Sequence, residues 1–213
     1  MEVVKLWPIS RFERLECDLA QNNNGCMDGE RVTFGILIAD ARQGKAREYI
    51  INYINELDKE SNQLFDFYIP GYSDEYYNGG EECFIIERCQ RKYYFNADDF
   101  ENFCDKLYNK FAIKYTKNPM LVLISMVPGN YKTKKYIKIE LDKNEQYTIN
   151  RSCELFSILF RAAKKKTSLE GIRGEIIKEY INENVFEIIQ SLFDKTLFIK
   201  TVKICKSYKV YKI

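Results

Sequence analysis

The chain contains no histidine among its 213 residues. This absence excludes Ser-His-Asp and Cys-His catalysis, histidine-ligated zinc and a histidine general base. Any acid–base chemistry would fall to Asp, Glu, Lys, Tyr or Cys side chains. Because so few catalytic arrangements remain, the composition favours a binding or regulatory protein over an enzyme.

Long apolar runs are also missing. No stretch approaches the roughly 20 residues that a membrane-spanning helix needs. Residues 1–16 include an early acid and lack the apolar segment of a signal peptide. We therefore expect a cytoplasmic protein without a membrane partner.

The seven cysteines form no C-x-x-C pair. This spacing excludes zinc ribbons and thioredoxin-type redox motifs. An odd number at irregular spacing is typical of reduced thiols in a cytosolic protein. The sequence identifies no metal site and no cofactor.

Charge is nearly balanced overall, with a formal net value of +2. It is unevenly distributed, however, because residues 151–213 carry +6 and residues 1–150 carry −4. The basic C-terminal third is therefore a candidate for anionic partners.

Two apolar stretches predict strands buried on both faces: FGILIA at 34–39 and MLVLISM at 120–126. An amphipathic helix follows Gly44, and Asn96 is expected to cap another whose buried stripe includes Phe100, Phe103, Leu107 and Phe111. Residues 84–95 fit either one long strand or a hairpin. The sequence thus predicts an α/β fold, a central mixed sheet with helices on both faces.

Three regions are expected along the chain. Residues 1–31 form an N-terminal helix and a mobile loop, and residues 32–150 form the α/β domain. Residues 151–213 form a helical subdomain that ends in a basic β-hairpin.

The order of elements over residues 32–160 resembles the thioredoxin-like fold. Asn118-Pro119 matches that fold's proline before a central strand. The resemblance does not imply redox activity, because Asp40–Lys45 contains no cysteine. A flavodoxin-like or TIR-like doubly wound sheet explains the same order.

The corner between the first buried strand and its helix is the main candidate site. Ligands of open α/β sheets bind beyond the carboxyl ends of strands, and helix N-termini favour anions. The corner lacks both common phosphate-loop motifs, so a solvated loop in which Asp40 bonds backbone N–H groups remains the alternative. The predicted phosphate-binding residues are Asp40, Arg42, Gln43, Gly44, Lys45 and Arg47.

A tyrosine-rich acidic loop over residues 68–82 is the secondary site. Tyrosines among carboxylates suit a divalent cation, a sugar or base ring, or a partner protein. The residues singled out are Tyr72, Asp74, Glu75 and Tyr76. A flexible surface loop is the alternative.

These patterns favour recognition of a small phosphorylated ligand or a partner protein at the carboxyl edge of the sheet. One alternative is a histidine-independent enzyme acting on a nucleotide at the same face. Another is a DNA-associated accessory protein, because the C-terminal helices and lysine-bearing hairpin resemble a winged helix in outline. The oligomeric state is left open.

Overall fold

The computed structural model describes residues 6–22, 32–44, 46–47, 54–55, 66–74, 81–86, 90–127, 129–140, 161, 170–172 and 174–175. The elements in this part of the chain are β1 (Leu6–Ile9), α1 (Phe12–Asn22), β2 (Val32–Ile38), β3 (Phe67–Pro70), β4 (Tyr72–Ser73), β5 (Glu81–Ile86), β6 (Arg91–Phe95), α2 (Ala97–Phe111), β7 (Met120–Val127) and β8 (Asn130–Glu140).

A five-stranded mixed sheet forms the centre, in the order β1-β3-β2-β7-β8. β1, β3 and β2 run parallel, whereas β7 is antiparallel to β2 and to β8. Ile38 at the end of β2 pairs with Met120 at the start of β7. The carboxyl end of β2 and the segment entering β7 therefore share one edge of the sheet.

The two predicted apolar strands are the buried centre of this sheet. Side chains from Phe34 to Ile38 and from Met120 to Met126 are buried. Gly35 is required in β2, because a Cβ there would lie 2.3 Å from the ring of Phe67. Burial on both faces explains the lack of polar alternation in these strands.

The sheet begins earlier in the chain than expected. β1 pairs in parallel with β3, and α1 packs on α2 through Phe12 and Phe103, whose ring centroids are 5.1 Å apart. The sequence pattern did not predict this strand, because four residues that include a proline carry little strand signal. The described part of the N-terminal region thus belongs to the main core.

Strands β5 and β6 pair with each other, which resolves the alternative of one long strand in favour of a hairpin. β5 and β6 are antiparallel, and Gln90 before β6 has φ 54°. β4 joins β6 to give a second, three-stranded sheet. Phe95 of this sheet contacts Phe100 of α2, with ring centroids 5.6 Å apart. The hairpin is therefore anchored to the helix that follows it.

Helix α2 confirms its sequence prediction. The Asn96 side chain accepts a hydrogen bond from the Asp99 backbone N–H at 3.1 Å. Its predicted stripe is buried, as are Leu37 and Ile54. After Phe111 the helix ends at Ala112, whose φ of 57° is left-handed. The chain then turns back towards β7.

Two successive lysines of β8 contact helical residues that lie on opposite faces of the sheet. Lys134 donates to the Lys110 carbonyl of α2 at 2.9 Å, whereas Lys135 pairs with Glu170. Because successive strand residues point to opposite faces, Glu170 lies across the sheet from α2. These contacts agree with a mixed α/β architecture.

Several expectations concern residues outside the described part of the chain. They include the mobile loop expected after the N-terminal helix and most of the C-terminal subdomain with its hairpin. Among the described helices, none has the length and apolar character required to cross a bilayer.

Candidate functional site

The corner after β2 is a tight turn built on Asp40. Its carboxylate accepts the Arg42 backbone N–H at 3.0 Å, and its carbonyl accepts the Gln43 N–H at 3.0 Å. The Arg47 N–H then bonds the Gln43 carbonyl at 3.0 Å, as in the first turn of a helix. Asp40 therefore shapes the corner through backbone hydrogen bonds, as the solvated-loop alternative expected.

The Arg42 guanidinium joins this corner to α2. Its Nε and Nη2 contact the two Asp40 carboxylate oxygens at 2.8–3.2 Å, and its Nη1 contacts Glu101 at 2.8 Å. Hydrogen bonds to Asp40 and then Glu101 raise the pKa of Arg42 further above its ordinary value. The Asp40 side chain is only 5% exposed, so Arg42 compensates a nearly buried charge. The arginine predicted to bind an anion already holds two protein carboxylates.

A groove of about 720 Å³ opens between this corner, α2 and the segment that leads into β7. It lies beyond the carboxyl end of β2, where ligands of open sheets bind. The lining residues are Asp40, Arg42, Gln43, Phe100, Glu101, Cys104, Asp105, Tyr108, Lys114, Tyr115 and Lys117.

Aromatic and thiol side chains contribute to the lining. The rings of Phe100 and Tyr115 meet edge to face, with centroids 5.3 Å apart and planes at 84°. Burial raises the pKa of the free Cys104 thiol to about 12, so it stays protonated at neutral pH. Tyr108 is 55% exposed and offers a ring surface. The groove therefore joins apolar contact area with charged groups.

Two further basic residues of the groove are lysines. Arg42 is already paired with two carboxylates. Lys114 and Lys117 are exposed and line the same groove. Lys117 has φ 69°, a left-handed conformation that glycine adopts more easily. Arg42 with Asp40 and Glu101 carries −1, and Asp105 with the two lysines carries +1, so the charges of the groove balance and its positive part is the lysine pair.

The predicted corner residues are only partly brought together. Asp40, Arg42 and Gln43 line the groove, whereas Lys45 lies outside the described residues. Arg47 is half-buried one turn into the helix. Gly44 is exposed, and an added Cβ would meet nothing within 4 Å. No close approach therefore requires glycine at position 44.

The secondary loop is placed differently from the prediction. Tyr72 is fully buried, and its hydroxyl donates to the Ala39 carbonyl at 3.1 Å. Its ring contacts Phe95 at a centroid distance of 5.0 Å. Tyr72 is therefore a core residue that holds the second sheet near the end of β2, and its buried ring does not belong to the secondary binding loop in which it was predicted.

The other residues singled out in that loop are either exposed or outside the described residues. Asp74 is exposed and accepts from Arg91 at 3.2 Å. Glu75 and Tyr76 lie outside the described residues. Within the described ranges, no three cysteines or carboxylates come close enough to hold a metal ion.

Sequence reasoning missed the α2 and pre-β7 sides of the groove. Glu101, Tyr108, Lys114 and Lys117 are more than fifty residues from Asp40. A usable signal did exist, because the two fully apolar strands predict neighbours at the centre of one sheet. An antiparallel pairing then brings residues 114–119 to the edge where β2 ends.

The chain matches no known family, since no family model, curated protein or solved structure gives a significant similarity. The residues of the groove are therefore the basis for inferring its activity.

Proposed function

We propose that the protein recognises a small phosphorylated ligand in the groove between the β2 corner, α2 and residues 114–117. The observation that carries this proposal is the meeting of three chain segments at the carboxyl edge of β2. The volume of about 720 Å³ falls within the roughly 300–1,000 Å³ typical of small-ligand sites.

The charges indicate which part of the groove would take the phosphate. Arg42 is committed to Asp40 and Glu101, so an anion at Arg42 would compete with two carboxylates. Lys114 and Lys117 are exposed and form the lysine wall of the groove, on the segment before β7. Lysine binds phosphate as a compact point charge. The phosphate is therefore assigned to the lysine wall.

The backbone at Lys117 supports this assignment. A non-glycine residue in the left-handed region costs about 1–2 kcal/mol. Strained backbone is often found where a side chain serves binding. The strain at Lys117 is explained if its ammonium group contributes to ligand recognition.

The ring surfaces favour a ligand that carries a planar group. Tyr108 exposes 55% of its surface beside the groove, and Tyr115 lines it. Stacking of a base on an aromatic side chain contributes about 1–3 kcal/mol. A nucleotide, with one ring and one or more phosphates, fits this combination.

The strand order bears on the fold proposed for the protein. Flavodoxin-like sheets follow a 2-1-3-4-5 order and are mainly parallel. Here β7 and β8 are both antiparallel to their neighbours, and Pro119 directly precedes β7. These features support a thioredoxin-like order, without its cysteines at Asp40–Lys45.

Calorimetric titration tests the proposed function. The wild-type protein is titrated with inorganic phosphate, pyrophosphate, AMP and ATP, and we expect saturable binding by at least one nucleotide. The variant Lys114→Gln/Lys117→Gln should weaken that binding at least tenfold, because both cationic contacts are lost. The matched control is Lys132→Gln/Lys92→Gln, which removes two exposed lysines outside the groove and should bind like wild type.

The same samples separate the alternatives. Chromatography of the nucleotide after incubation would show product if the protein is an enzyme acting at this face. Salt-dependent binding of a DNA duplex would support the accessory-protein alternative. The proposal fails if none of the four probes binds at millimolar concentration, or if both double variants bind nucleotide equally.

A further inference from the structure

Tyr115 carries one of two buried hydroxyls without a hydrogen-bond partner among the described residues. The other belongs to Tyr68 in β3, which is not part of the groove lining. Most buried polar groups in proteins are paired, so an unpaired one calls for an explanation. For Tyr115 the groove beside it offers one.

The groups around the Tyr115 oxygen indicate which kind of hydrogen-bond partner the hydroxyl lacks. Burial raises the pKa of Tyr115 to about 12, so the hydroxyl carries its proton at neutral pH. The charge of the Asp40 carboxylate acts on this oxygen, as do the Asp40 backbone N–H, Cys104 and Arg42, but the hydroxyl has no hydrogen-bond partner among the described residues. The oxygen can accept from the neighbouring N–H, whereas the hydroxyl proton has no acceptor in the described part of the chain. The missing partner is therefore an acceptor.

The two lysines of the groove flank this hydroxyl in the chain. Lys114 precedes Tyr115 directly, and Lys117 follows two residues later. All three residues line the same groove. A hydroxyl donor that lines the same groove as two lysines matches the oxygens of a phosphate or carboxylate.

We propose that the Tyr115 hydroxyl donates a hydrogen bond to an anionic oxygen of the ligand, so that Lys114, Tyr115 and Lys117 together form the phosphate seat. This inference rests on the proposed function and specifies where in the groove the anion binds. The seat lies on the segment before β7, not at the helix N-terminus after Asp40. Since the Tyr115 oxygen is closed to water, an acceptor reaches it only with small side-chain movements, which are common on binding.

The test compares two conservative variants, Tyr115→Phe and Tyr68→Phe. Each removes one buried, unpartnered hydroxyl and keeps the ring. Both should fold with a melting temperature at or above that of wild type, because a buried hydroxyl without a partner is destabilising. In titrations with inorganic phosphate and AMP, Tyr115→Phe should bind about tenfold more weakly, whereas Tyr68→Phe should be unchanged.

A second measurement needs no substitution. In wild-type protein with isotope-labelled tyrosine, saturation with inorganic phosphate should shift the ring resonance of Tyr115 next to its hydroxyl and leave that of Tyr68 in place. The inference is overturned if Tyr115→Phe keeps wild-type affinity while Lys114→Gln/Lys117→Gln loses it, a result that leaves the proposed function intact. If none of phosphate, pyrophosphate, AMP and ATP binds the wild type, both are overturned.

Discussion

Arg42 holds both carboxylate oxygens of Asp40, two residues earlier in the chain, through contacts of 2.8–3.2 Å. The same guanidinium reaches Glu101 of α2 at 2.8 Å. A single side chain thus ties the end of the central strand to the helix across the groove. These contacts hold one wall of the groove in place.

Substitution Arg42→Ala should therefore destabilise the protein. It leaves the nearly buried Asp40 carboxylate without its counter-charge, which we expect to cost about 1–3 kcal/mol in the free energy of unfolding. Urea denaturation measures the change. Adding Asp40→Asn should recover part of the loss, since an amide keeps the hydrogen-bond acceptor and needs no cation.

The control for Arg42 is Arg91→Ala. Arg91 pairs with Asp74, but both side chains are exposed, at 63% and 44%. Exposed ion pairs typically contribute about 0–1 kcal/mol. Equal stability of the Arg42→Ala and Arg91→Ala proteins would contradict a structural role for Arg42.

Alanine should destabilise the protein at Gly71 but leave its stability unchanged at Gly44. Gly71 has φ 82°, and a Cβ there would lie 2.6 Å from Cβ of Phe100 and 3.1 Å from its Cα. Gly71→Ala should cost at least about 2 kcal/mol in unfolding free energy, from backbone strain and overlap with α2. Thermal unfolding compares it with the control variant Gly44→Ala. That variant should lose no stability, because a Cβ at position 44 would meet nothing within 4 Å. A Gly44→Ala protein that loses phosphate binding would restore the corner as the anion site.

Acid should weaken the contact between α1 and the rest of the core. Burial opposes ionisation of Glu16, but hydrogen bonds from Lys110 and Tyr131 outweigh it and hold the pKa of Glu16 below its ordinary 4.5. The folded protein therefore binds this proton less readily than the unfolded chain. The stabilisation is complete above pH 4.5 and is lost as pH falls through the lower, folded-state pKa.

Glu16→Gln makes this pH dependence measurable. The variant should lose about 1–2 kcal/mol of stability at pH 7 and show a shallower decline below pH 4.5 than wild type. Glu170→Gln, which removes an exposed pair with Lys135, should keep the wild-type acid profile. Identical acid profiles for Glu16→Gln and wild type would show that another group governs acid unfolding.

Lys117→Gly separates stability from recognition. Glycine relieves the strain of φ 69° but adds freedom to the unfolded chain, so unfolding free energy should change by less than about 1 kcal/mol. Nucleotide affinity should nevertheless fall, because one ammonium group is gone. Calorimetry and thermal unfolding of the same sample measure both effects. A stable Lys117→Gly protein with wild-type affinity would remove Lys117 from the site.

The sequence predicted those parts of the fold that local patterns determine. Helix α2 was recognisable from Asn96 and its apolar stripe, and β7 from a run that is apolar except for Ser125. β1 was missed because its partner β3 lies about sixty residues away and supplies the contacts that make it a strand. Tyr72 looked like a loop residue because only tertiary packing buries it.

The candidate site was predictable on one side only. A strand followed by a polar, glycine-containing helix start identifies the Asp40 corner locally. The opposite wall depends on the antiparallel pairing of β2 with β7, which places residues 114–117 near that corner. The commitment of Arg42 to Glu101 is likewise a long-range contact. Neither relationship is contained in spacing along the chain.

The central claim is that an anionic ligand binds between the β2 corner and residues 114–117. Amide chemical-shift mapping of the wild-type protein during titration with AMP tests it most directly. We expect saturable shifts concentrated at Asp40, along the exposed side of α2 from Glu101 to Tyr108, and at residues 114–117. Shifts absent at millimolar AMP, or confined to residues outside the groove, would contradict it.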